Sequence, residues 1–92
     1  MEKSEICRKI TDLGKFGQRT LCYFLTIDFS KNETESGKDF GVGLQILETG
    51  EETSVHGITM DEEEALFLVD LLASNFVTPV SLNDVVYDWL SR

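Results

Sequence analysis

The sequence predicts an α+β fold, a four-stranded antiparallel meander followed by two C-terminal helices packed on one face of the sheet (ββββαα). Three observations predict it. Four runs alternate side chains at the two-residue period of a strand, polar or glycine-bearing turns separate them, and the last third carries apolar residues at helical spacing behind two capping signals. Consecutive strands joined by polar turns pair as antiparallel neighbours, and helices laid across the sheet bury its apolar face.

Residues 5–13 set Ile6 and Ile10 on one face and Cys7, Lys9 and Thr11 on the other, the pattern of a half-solvated first strand. Gly14 and Gly17 follow in a hairpin loop, where tight turns call for positive φ. Residues 19–29 alternate Leu21, Tyr23, Leu25, Ile27 and Phe29 against Thr20, Cys22, Phe24, Thr26 and Asp28, rich in β-branched and aromatic residues. The run from Ser30 to Asp39 has no apolar residue and reads as a solvated loop. Phe40, Val42, Leu44 and Ile46 line the third strand with Gly41 and Gly43 opposite, where missing side chains admit a helix, an aromatic ring such as Phe24, or another chain. After the turn at Glu48–Glu52, residues 53–59 form the fourth strand, with Val55 on one face and His56 and Ile58 on the other.

Thr59 and Glu62 fit an S/T-x-x-E capping box, and the acidic run Asp61–Glu64 suits the positive end of a helix dipole. Ala65, Leu68, Val69 and Leu72 recur at helical spacing, and Leu66, Phe67 and Leu71 widen the stripe, predicting burial on more than one side. Ser74 and Asn75 end this helix. Pro79 keeps Thr78 extended in a connector over residues 76–80. Ser81 is the second cap signal, ahead of an apolar face of Leu82, Val85, Val86, Trp89 and Leu90.

Ninety-two residues allow one core, so residues 1–92 are expected to form a single domain. No run approaches the roughly 20 apolar residues that span a bilayer, and the N-terminus lacks the basic and apolar regions of a secretory signal, which together predict a cytoplasmic protein without a membrane partner. Two cysteines are too few for a disulfide framework and read as buried thiols rather than a cross-strand bridge. The formal charge of −9 opposes binding to phosphate backbones, so no nucleic-acid partner is expected.

Catalytic chemistry in a small domain needs a base, a nucleophile and an orienting group. His56 is the only histidine, and Cys22 sits in an apolar strand where burial raises a thiol's pKa and leaves it inert. There is no CxxC, HxxxH or EF-hand spacing, and Asp61–Glu64 point in different directions around their helix. The sequence therefore predicts a non-enzyme with no catalytic, cofactor-binding or metal-ligating residues.

Gly57-Ile-Thr before an acidic helix start, Leu71-Leu-Ala, Val77-Thr-Pro-Val and Leu82-Asn-Asp-Val-Val-Tyr-Asp, together with Tyr23-Phe-Leu and Phe40-Gly-Val-Gly-Leu, resemble a family of short Firmicutes proteins classed as a domain of unknown function. Phe40-Gly41 stands where that family's pattern has Tyr-Gly. The resemblance implies a bacterial cytoplasmic protein and carries over no site residue.

The function that fits best is a small protein-interaction or regulatory module, a homodimer among its forms, with Trp89 and Tyr87 as interface-type aromatics unless Trp89 plugs the core. One alternative is an acidic mimic of nucleic acid that inhibits a DNA- or RNA-binding protein. It requires Glu33, Glu35, Glu48, Glu51, Glu52 and Asp61–Glu64 on one face. The other alternative is a small enzyme using His56 or Cys22.

Overall fold

The computed structural model describes residues 2–12, 14–29 and 37–91. The elements run β1 (Glu2–Asp12), β2 (Gln18–Phe29), β3 (Lys38–Ile46), β4 (Glu52–Thr59), α1 (Glu62–Ser74) and α2 (Pro79–Leu90), with a single 3-10 turn at Gly14–Phe16 in the first hairpin. The strands form one antiparallel sheet in the order β1-β2-β3-β4, so the fold is the ββββαα α+β meander that the periodicity predicts. Most of the solvated loop expected over Ser30–Asp39 lies outside the described residues, and its last two positions, Lys38 and Asp39, already belong to β3.

Both helices lie on one face of the sheet. Leu21, Tyr23 and Leu25 of β2 and Phe40, Val42, Leu44 and Ile46 of β3 meet Ala65, Leu68, Val69, Leu72, Val77, Leu82 and Val86 in one core. Tyr23 is fully buried there, and its hydroxyl donates to the Val77 carbonyl at 2.8 Å, tying the sheet to the connector between the helices. The described helices include none long and apolar enough to cross a membrane.

Bulges change the predicted faces in both edge strands. In β1 the register shifts between Glu5 and Cys7, so Glu5 lies opposite Phe24 while Cys7 lies opposite Tyr23. Cys7, Lys9 and Thr11 lie on one face and Ile10 on the other as the alternation predicts, but it is Cys7 that packs against the core, and Ile10, 68% exposed, faces away from the helices. In β4, His56, Gly57 and Ile58 together face the single residue Gly41, and Gly57 takes φ +62°. Val55 and Ile58, assigned to opposite faces by strict alternation, consequently both pack against the core. The single extra residue in β1 shifts the two-residue period by one, whereas the two extra residues in β4 disturb it only locally and leave Thr59 on the same face as Val55.

The helix starts also differ from the capping signals. The α1 N-cap is Asp61, whose carboxylate accepts from the Glu63 amide at 2.9 Å. Thr59 instead accepts from the Asp61 amide and donates to Glu64, bracing the approach to the helix. The α2 helix begins at Pro79 rather than after Ser81, because proline's fixed φ suits the first helical position and its missing N–H loses no bond there. Phe67 is 61% exposed, so α1 buries a single face flanked by half-buried Leu66 and Leu71.

The turn out of α1 carries strain. Phe76 takes φ +51°, with its amide bonded to the Ala73 carbonyl and the Val77 amide to the Leu72 carbonyl. These are the two reversed bonds of a Schellman motif, with phenylalanine at the left-handed position that glycine usually fills. Lys9 lies 6.0 Å from the centre of the Phe76 ring.

Candidate functional site

The sheet face opposite the helices holds most of the fixed polar groups. Lys3, Glu5, Arg8 and Ile10 of β1, Cys22, Phe24, Thr26 and Asp28 of β2, Gly41 and Gly43 of β3, and Ser54 and His56 of β4 lie on it.

Two polar straps cross this face. Lys3 Nζ bonds Glu52 Oε1 at 2.8 Å, joining β1 to β4 over three strand spacings, about 14 Å. Beneath that strap the Phe24 ring lies on Gly43, and Lys3 Nζ stands 5.0 Å from the ring centre. A Cβ on Gly43 would overlap the ring, so the glycine makes the cradle that seats Phe24. The second strap runs from Ser54 Oγ to His56 Nε2 at 3.0 Å and from His56 Nδ1 to Asp28 Oδ2 at 3.1 Å. Strand alternation puts His56 on the same face as Ser54. A Cβ on Gly41 would meet Thr26 Oγ1, the His56 Cα and the Val55 carbonyl, so glycine permits the bulge to fold over the sheet. Thr26 is fully buried below, and its hydroxyl makes no hydrogen bond.

The third group is Cys22, Glu5 and Arg8. The Cys22 thiol and the Arg8 Nε both donate to Glu5 Oε1, each at 2.7 Å. The bond from Cys22, and then that from Arg8, holds the Glu5 carboxyl below the usual carboxylate range. Burial first, and the bond to the Glu5 carboxylate second, push the Cys22 thiol up to about 11. At neutral pH the thiol stays protonated and is a poor nucleophile. Its partner is Glu5 rather than His56, so a Cys22–His56 pair does not form. Cys7 and Cys22 are both free, on opposite faces of the sheet.

Elsewhere, a cleft of about 580 Å³ opens beside the start of α2, lined by Arg19, Ile46, Thr49, Glu51 and residues 78–80. It contains neither His56 nor Cys22, and Glu51 alone of the acidic set singled out from the sequence lines it. No group of three or more potential metal ligands occurs among the described residues. Trp89 is half-buried against the core, whereas Tyr87 is 61% exposed.

The described acidic residues of the mimic reading fall into two groups at opposite ends of β4. Glu48, Glu51 and Glu52 lie at the β3–β4 turn, and Asp61–Glu64 lie beyond the far end of β4, whose eight residues span about 26 Å. Glu52 is paired with Lys3, and Glu48 accepts from the amide and hydroxyl of Thr20, the first of which mainly lowers its pKa. Glu33 and Glu35 lie outside the described residues.

Residues 2–92 match the Family of unknown function (DUF6514). The chain belongs to this family. The DUF6514 match extends over both edge strands and both helices, so the whole ββββαα unit is the family's domain. No curated protein and no solved structure matches the chain.

Sequence reasoning singled out His56 and Cys22 but missed their partners. Ser54 was legible two residues before His56 on one strand, whereas Asp28 and Glu5 become neighbours only through strand register.

Proposed function

We propose that this DUF6514 domain is a cytoplasmic protein-interaction module that receives a basic protein surface on its helix-free sheet face. The observation that carries the reading is that β1, β2 and β4 contribute polar or aromatic groups held in fixed positions by the two straps and the Cys22–Glu5–Arg8 group, over the glycines of β3. A broad face with pre-positioned hydrogen-bonding groups suits a macromolecular surface, since little side-chain freedom is lost on binding. The net charge of −9 draws basic partners and repels phosphate backbones. The resemblance to short Firmicutes proteins supports the bacterial cytoplasmic setting. The test is affinity capture with tagged wild type, His56→Ala with Arg8→Glu, and Tyr87→Ser on α2. A partner retained by wild type and Tyr87→Ser but lost with the sheet-face variant supports the reading. Loss with Tyr87→Ser alone places the contact on α2 and overturns it.

The Ser54–His56–Asp28 strap favours a second reading, in which Ser54 is a nucleophile, His56 its base and Asp28 the orienting group. Against it, the strap is well exposed and lies apart from the cleft. Hydrolysis of p-nitrophenyl acetate that disappears in both Ser54→Ala and His56→Ala would establish this reading. Equal rates in wild type and Ser54→Ala would remove it.

A further inference from the structure

The edge strand β1 is eleven residues long and, among the described residues, hydrogen-bonds as a strand only toward β2. Such an edge is a template for another strand. The opposite edge, β4, is shorter and is interrupted by the bulge at residues 56–58. The β1 bulge has a different consequence. Because the register shifts between Glu5 and Cys7, Glu5 and Arg8 share the helix-free face although they are three residues apart. Lys3 and Ile10 lie on that same face, while Ser4 and Lys9 share the helix-bearing face, as do Glu2 and Thr11.

We propose that a second copy of this chain pairs with β1 in antiparallel register, joining two four-stranded sheets into one eight-stranded sheet about a two-fold axis between Ile6 and Cys7. In that register Glu5 faces the partner's Arg8, Lys3 the partner's Ile10, Ser4 the partner's Lys9 and Glu2 the partner's Thr11. Every one of these pairs joins residues of the same face, as a continuous sheet demands. A strand without the bulge would place positions 5 and 8 on opposite faces and forbid the pairing. The two-fold axis repeats the Glu5–Arg8 contact, so two opposite-charge cross-strand pairs flank the centre. Within one chain the ion pair engages only Oε1 of Glu5, leaving the second carboxylate oxygen to accept from the partner's Arg8. Shifting the pairing by two residues toward the N-terminus sets Lys3 against the partner's Arg8 and Glu2 against the partner's Lys9, so its charges cancel, whereas the first register has only the favourable Glu5–Arg8 pairs. Glu5 and Arg8 belong both to this edge and to the proposed binding face, but the dimer mass is read without any other partner, so the two readings fail separately.

Light scattering of the wild type across a concentration series tests it, with a mass of about twice 10.4 kDa expected at about 100 µM. Glu5→Arg and Arg8→Glu, each alone, place like charges opposite one another and should weaken association about tenfold or more. An equimolar mixture of the two variants restores opposite charges across the interface while the pair within each chain stays broken, so the mixture should regain the dimer mass. Monomeric wild type, or variants that dimerise as well as wild type, would overturn the proposal. Hydrogen exchange of the wild type supplies a check that needs no variant. Protection of residues 2–12 should grow with concentration, and growth confined to β4 or α2 instead would also overturn it.

Discussion

Tyr23→Phe isolates a buried polar link between the sheet and the helix connector. Tyr23 is fully buried, and its hydroxyl donates to the Val77 carbonyl at 2.8 Å. Removing the hydroxyl leaves that carbonyl unpaired in an apolar setting, a cost of about 1–2 kcal/mol. For a domain of this size the melting temperature should fall by about 5–10 °C. The substitution also has a signature in pH. Burial pushes the Tyr23 phenol up from 10.0 to about 12, so the fold favours the protonated form. That contribution is complete below pH 10 and disappears as the pH rises through 12, and a shift of two pKa units corresponds to at most about 2.7 kcal/mol. Wild type should therefore lose stability more steeply than Tyr23→Phe between pH 10 and 12. Cys22 titrates in both proteins and cancels from the difference. Urea denaturation followed by Trp89 fluorescence, at pH 7 and through the alkaline range, measures both effects. A loss under about 0.5 kcal/mol at pH 7, or parallel alkaline profiles, would refute the reasoning.

Gly43→Ala should cost about 2 kcal/mol in chemical denaturation, because the added methyl displaces the Phe24 ring from its cradle; a neutral effect would show that the ring is free to move. Trp89→Ala should cost about 2 kcal/mol, less than the roughly 3 of a fully buried ring, since the indole is only half-buried; a larger loss would place it deeper. Asp61→Ala should cost about 1 kcal/mol and Thr59→Ala about half of that, and the reverse order would return the N-cap to Thr59. Cys22 should react with a disulfide reagent at neutral pH far more slowly in the folded protein than in urea, because its pKa is raised to about 11; equal rates would mean that the thiol is open to solvent.

The fold was legible because two periods coexist in the chain. Leu21, Tyr23 and Leu25, with Phe40, Val42 and Leu44, mark one sheet face at period two, and Ala65, Leu68, Val69 and Leu72 mark a helix face at 3.6. Each pattern follows from where successive Cβ atoms point and needs no knowledge of the partner element. Gly43 was legible in the same way, as a place where an aromatic ring such as Phe24 approaches the sheet, whereas Gly41 admits the bulge of β4.

Sequence by itself therefore determined the element order, the antiparallel meander and most of the core, because local geometry alone sets those periodicities. Tertiary structure decided which face each edge-strand residue occupies, since a bulge is a mismatch between two strands and leaves no mark in either one alone. It also decided who meets whom on the helix-free face. Lys3 joins Glu52 across 49 positions, and His56 joins Asp28 across 28, through contacts created by strand register alone. Helix starts shifted for a related reason. Thr59 and Ser81 both satisfy a local capping rule, but Thr59 closes the end of β4 and Pro79 starts α2 two residues earlier than Ser81.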